Sequence, residues 1–191
     1  MDKKNIFRYY KAMKKKIILG ILLLALVFLF IYSKGWYVVA KVDKSYLWAS
    51  EYYQRVGSLE KLKSVSKNDA LAEIITKKNI LEGMIENSII NAEFSKKDLS
   101  EEHAEKIITD ALSNKSSTIA EASQKLYGLK LNDFKKLILL PQAKQDILAT
   151  DMEKNGINFD KWINERSREV SVKIYFLPWM WENGQLVDKS R

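Results

Sequence analysis

The sequence predicts a mainly α protein: a single N-terminal transmembrane helix, then a helical domain closed by a small two-stranded sheet. Three observations carry this reading. Residues 17–32 read IILGILLLALVFLFIY, a run without one charge. Most of the remaining chain places apolar residues three and four positions apart, the period of a helix face. β-Branched runs stand at both ends of that helical stretch, while 7 Gly and 2 Pro in 191 residues leave too few turns for a many-stranded β protein.

The first element is set by charge as much as by hydropathy. The chain has a net charge of +8, which suggests a nucleic-acid binder. Its distribution argues against one. Residues 1–34 hold eight basic residues and one acid, and the rest of the chain holds 24 basic and 23 acidic residues. The excess flanks the apolar run, where it acts as a topology signal that keeps the N-terminus cytoplasmic. Sixteen residues make a helix of about 24 Å, against a hydrocarbon core of about 30 Å. Lys14 to Lys16 and Lys34 can snorkel to the headgroups, and Tyr32, Trp36 and Tyr37 fall at the outer interface. The competing reading is a cleaved signal peptide ending near Val38-Val39-Ala40, but that site lies well beyond the apolar run and follows bulky aromatics. Both readings export the residues that follow.

Val38 to Val42 reads as a strand, with Asp43-Lys44 as its turn, and Tyr46 to Val56 as a short aromatic helix. A polar break over 64–68 precedes a helix from Asp69 to about Phe94, capped by Asn68. Its apolar residues cover more than one face, which implies contact on two sides or an apolar groove. Ser100 caps the next helix, with Ala104, Ile107, Ile108, Ala111 and Leu112 on one face. Ser116 or Ser117 caps another, with Ile119, Ala122, Leu126 and Tyr127 inward, and Gly128 stops it. Asn132 caps a long helix that Pro141 should kink. After the Asn155-Gly156 turn, Asn158 caps a short helix, and Val170 to Phe176 is the second strand. A lone strand leaves its backbone groups unsatisfied, so the two strands are expected to pair with each other. The expected units are a basic cytoplasmic segment (1–16), the membrane helix (17–35), the helical domain (36–177) and a tail (178–191).

Little in the sequence points to catalysis. Zero cysteines remove thiol nucleophiles and thiolate metal sites, and His103 is the only histidine. Nucleophile elbow, P-loop and dinucleotide-binding glycine patterns do not occur. No cofactor or metal site is expected, and no nucleic acid as partner. What does stand out is an apolar excess: Met84, Ile85, Tyr127, Leu131, Phe134, Leu139 and Leu140 exceed what single-sided helices need. Methionine and aromatic side chains suit an adaptable cradle for extended polypeptide.

The order of motifs resembles that of the SurA-type periplasmic chaperones and the anchored foldases of the PpiD and PrsA type. VVAKVDKSYLWASEYYQRV is similar to the family's opening strand and helix, with Asp43-Lys44 where the family has Asn-Gly. ILEGMIENSIINAEFSKKDLSEEHAEKII resembles the next segment through Ile80, Leu81, Met84, Ile85, Ile89, Ile90, Ala92, Leu99 and Ser100. YGLKLNDFKKLILLPQAKQDIL matches through Tyr127, Gly128, Leu129, Asp133, Phe134, Leu137 and Ile138. FDKWINERSREVSVKIYF is similar to the closing helix and strand through Phe159, Trp162, Ile163, Val170, Val172 and Ile174. The resemblance covers roughly residues 38–176. It implies a SurA-like N-terminal chaperone domain without the parvulin isomerase domain, whose Gly-Gly-x-Leu-Gly stretch and histidines this chain lacks. The implied function is non-catalytic binding of unfolded or newly exported polypeptides at the outer side of a bacterial cytoplasmic membrane, through Met84, Ile85, Tyr127, Leu131, Phe134, Leu140 and Trp162. The alternative is an interaction subunit that docks one specific envelope or membrane protein.

Overall fold

The computed structural model describes residues 20–33, 35–66, 69–113 and 115–189. The chain divides into two compact units, 1–37 and 38–191. In the first, residues 20–33 form helix α1, and its large apolar side chains are exposed, Leu24 at 70% and Phe28 at 72%. Its end follows from Gly35, whose φ of 65° is left-handed. Gly35 N–H donates to the Tyr32 carbonyl and Trp36 N–H to that of Ile31, a Schellman closure. Among the described residues no helix is long and apolar enough to cross a membrane. The expected span begins at Ile17, and residues 1–19 and 34 lie outside the described ones, as does the expected cap Asn68.

The second unit is mainly α with two small antiparallel sheets. Strand β1 (Val38–Val42) turns at Asp43-Lys44 into β2 (Ser45–Trp48), so Tyr46 to Trp48 are strand and not the start of a helix. Aromatic side chains favour a half-buried strand, and the left-handed Asp43 (φ 48°) supplies the tight turn. Asp43 also holds the turn in place: its carboxylate accepts from Arg166 Nη2 and from Ser171 N–H, each at 3.0 Å. Helix α2 (Ala49–Ser66) follows and extends into the expected break as far as Ser66, burying Ala49, Tyr52, Val56 and Ser58.

The helix expected over 69–94 is two helices, α3 (Asp69–Ile74) and α4 (Lys77–Lys96). Thr76 is the cause. Its hydroxyl accepts from Asn79 N–H at 3.1 Å, while Asn79 Nδ2 donates back to the Ile74 carbonyl at 2.8 Å. One orphan donor of α4 and one orphan carbonyl of α3 are thereby satisfied. The wide stripe of α4 has an ordinary explanation: Ile80, Leu81, Met84, Ile85, Ile89, Ile90 and Phe94 are all buried, because α4 is the central helix and packs on α2, on both sheets and on the later helices.

Helix α5 (Glu101–Leu112) starts at Ser100, whose Oγ accepts from His103 N–H. Helix α6 (Ser116–Leu126) has Lys115 at its cap position and no side-chain cap, so neither Ser116 nor Ser117 acts as one, and Leu126 is exposed. Gly128 does end it, at φ 70°. Next, α7 (Leu131–Phe134) is preceded by Lys130 rather than capped by Asn132. It passes through a π turn (Lys135–Leu139) into α8 (Leu140–Lys154). The Leu140 N–H reaches back to the Lys135 carbonyl, and Pro141, which has no N–H to offer, follows at once. The missing donor is thus absorbed by a widened turn. Helix α9 (Phe159–Glu169) starts at Asn158, whose side chain accepts from Lys161 N–H.

Strand β3 (Val172–Ile174) pairs antiparallel with β1, so the strands at the two ends of the helical stretch meet. The sheet has three strands in the order β2-β1-β3, not two. The tail is also ordered: β4 (Trp179–Glu182) and β5 (Gln185–Asp188) form a hairpin through Asn183 (φ 51°) and Gly184 (φ 84°). Both central residues are left-handed, as a type I′ turn requires. Trp181 Nε1 donates to the Ser167 carbonyl on α9, and Glu82 on α4 accepts from the Leu186 N–H at 2.8 Å.

Candidate functional site

A concave surface with an apolar floor lies between α5 and α8, a groove of about 810 Å³. On α5, residues Ala104, Ile108 and Leu112 are buried at four-residue spacing, and with Ala143 of α8 they form one cluster. The narrow stripe leaves Ile107 and Ala111 on its shoulder, where they line the groove, Ile107 at 43% exposure. Leu99, Ile119, Leu139 and Ile147 add to the apolar lining. The rim is polar: His103, Gln142, Asp146, Asp151 and Lys154. Two of these rim groups are held, Asp146 by Gln142 Nε2 and Asp151 by Lys97 Nζ, both at 2.8 Å. Such a surface offers dispersion and desolvation to apolar side chains, and hydrogen bonds at its edge to a backbone.

The structure places the seven residues expected to form a binding surface in several parts of the second unit. Met84 and Ile85 are 3% and 0% exposed in the middle of α4, so they belong to the core. Tyr127 and Phe134 are half-buried, their rings in contact at 5.1 Å between centroids. Leu131 and Leu140 pack on the α5–α8 cluster without lining the groove; Leu140 instead lines a smaller, charged hollow of about 410 Å³ with Glu101, Lys135 and Lys136. Trp162 lies elsewhere, against Phe159 at 5.7 Å and the cluster of Ile90, Phe94, Leu148 and Met152.

The groove residues themselves had a legible signal. Ile107 and Ala111 are apolar positions beyond the stripe that α5 needs for packing. Helical spacing places them on the packed face, and the partner helix leaves them outside it. His103 is exposed at the rim, and among the described residues no cluster of three or more metal-ligating side chains occurs. Elsewhere, burial pushes the Tyr52 hydroxyl up to about 12, with smaller contributions from the nearby Tyr53 and Glu60. Partial desolvation, aided by Glu82, raises Glu86. Neither group lines the groove. No family model, curated protein or solved structure matches this chain.

Proposed function

We propose that this protein is a single-pass, membrane-anchored, extracytoplasmic chaperone-like protein, non-catalytic, that holds exposed apolar segments of other polypeptides in the α5–α8 groove. The observation that carries the reading is that groove: an open apolar floor with a polar rim, in a mainly helical unit. Two features of the sequence support it. The uncharged run 17–32 with its basic flank reads as an anchor, with Lys14 to Lys16 on the cytoplasmic side. Residues 38–176 resemble SurA-type chaperone domains, and the chain lacks the parvulin stretch that would add isomerase chemistry. Unfolded or newly exported chains are the expected partners, and the groove residues Ile107, Ile147, Leu139 and Ile119 the expected contacts.

The test is a binding titration. The full chain, held in lipid nanodiscs, is titrated into several unrelated, chemically unfolded and fluorescently labelled polypeptides, and anisotropy is followed. Ile107→Glu serves as the probe, since an exposed shoulder tolerates the charge. Saturable binding to several clients is expected, weakened about ten-fold or more by the substitution, which corresponds to at least about 1.4 kcal/mol. Equal binding by a folded Ile107→Glu variant would remove the groove from the proposal. Binding to none of the clients, with one stoichiometric partner recovered from membranes, would favour an interaction subunit instead.

A further inference from the structure

The outward face of the three-stranded sheet combines aromatic and basic side chains in a pattern that helix packing does not use. In register, Lys41 of β1 lies between Tyr46 of β2 and Lys173 of β3, so the three share the outer face. Two residues further along, Trp48 and Tyr175 fall on that same face. Tyr46 is 53% exposed, Trp48 46% and Tyr175 38%. Trp48 is opposite Val38, and Tyr175 N–H donates to the Val39 carbonyl. The aromatics therefore gather around the first residues of β1. Phe176, 84% exposed at φ 58°, comes next in the chain at the same end. Lys41 Nζ lies 5.5 Å from the Tyr46 ring centre, and the three strands contain no carboxylate at all.

We infer that this face rests on the bilayer surface, with Tyr46, Trp48 and Tyr175 at headgroup level and Lys41 and Lys173 on anionic lipid phosphates. The inference rests on the anchored reading given above. Two arguments select a lipid surface as the occupant. The first is chain length. Only residues 33–37 separate Tyr32, the end of the apolar run, from Val38. In an anchored chain, β1 thus begins within about 20 Å of the hydrocarbon edge at full extension. The second is chemistry. Tyrosine and tryptophan prefer the membrane–water interface, and strands with two lysines and no carboxylate complement lipid phosphate.

The chain has no cysteine, so a single introduced one can be labelled uniquely. The full chain is reconstituted in vesicles of phosphatidylcholine, alone or mixed with phosphatidylglycerol. It carries a nitroxide at Tyr46→Cys, Tyr175→Cys, Ser117→Cys or Leu24→Cys, with circular dichroism as the check on folding. Accessibility to lipid-soluble oxygen is compared with accessibility to a water-soluble nickel chelate. The expected result is an oxygen-to-nickel ratio several-fold higher at Tyr46→Cys and Tyr175→Cys than at Ser117→Cys. It should rise further with phosphatidylglycerol, and Lys41→Glu/Lys173→Glu should abolish that rise. Equal ratios at the three sites, with Leu24→Cys deep in hydrocarbon, would overturn the docked face and leave the anchor standing. A Leu24→Cys label in water, on a chain that washes off the vesicles, would overturn both. Shielding of the sheet labels from both reagents would mean that protein covers the face, and would overturn the lipid assignment. A rise that survives the charge reversal would overturn the phosphate contacts.

Discussion

Tyr52 is 1% exposed, and its hydroxyl reaches the Lys77 carbonyl only at 3.4 Å, a weak bond. Burial, not this bond, dominates its behaviour, so the ionised form is disfavoured in the fold. The unfolded chain loses this proton near pH 10 and the folded chain near 12. Between those values the unfolded state holds fewer protons, and stability falls as pH rises. Tyr52→Phe should therefore cost at most about 1 kcal/mol at neutral pH and flatten the loss of stability between pH 10 and 12, as read by urea titrations across that range. Glu82 has a different task. It accepts the Leu186 N–H, and Leu186 is 1% exposed. In Glu82→Ala that donor is left without its partner inside the protein, at a cost of about 1–3 kcal/mol. Hydrogen exchange at the Leu186 amide should accelerate well before that of α4, and unchanged exchange would show that the hairpin does not depend on this bond.

At the scale of elements, the turns decide the path of the chain. Gly184 sits at φ 84°, and a Cβ there would meet Arg168 Cγ at 3.1 Å. Gly184→Ala combines left-handed strain with a contact that must give, so a loss of about 1–2 kcal/mol is expected, with the Trp181 emission shifting as the β4–β5 hairpin loosens. Thr76→Ala should cost about 1 kcal/mol through the lost cap of α4, measured by thermal unfolding. The elements most legible in the sequence were those with a side-chain cap or a stopping glycine: Ser100, Asn158 and Gly128 mark boundaries the structure keeps. The pairing of the end strands followed from the cost of a lone strand. Other features depended on competition that periodicity does not register. Thr76 split a continuous apolar pattern because its hydroxyl offered the backbone a better local partner. Tyr46 to Trp48 went into a strand because β1 needed an edge neighbour. The Asn183-Gly184 pair, left-handed at both positions, is the residue-level mark of the tail hairpin. In the candidate site, Met84 and Ile85 carried an apolar excess that a central helix uses on several sides, whereas the groove formed where α5 left Ile107 and Ala111 unused.

At the scale of the whole molecule, the second unit is closed by its own ends. Val42 pairs with Val172 across nearly the entire helical stretch. Contacts so distant in sequence form late, because loop closure must be overcome before they contribute. Destabilising substitutions in β3 should therefore speed unfolding and leave the folding rate almost unchanged, a split that stopped-flow chevrons measure directly. The sheet order also has a mechanical meaning. β1 is the middle strand, hydrogen-bonded on both sides, and the chain enters the domain through it. A pull on the N-terminal side thus loads two ladders at once, so the unit resists unfolding from that end by more than an edge strand would allow. Tyr175→Pro deletes the N–H that donates to the Val39 carbonyl, at the point where such a load first arrives. In an optical trap pulling from that end, it should lower the rupture force and shift the first break from the helices to the sheet.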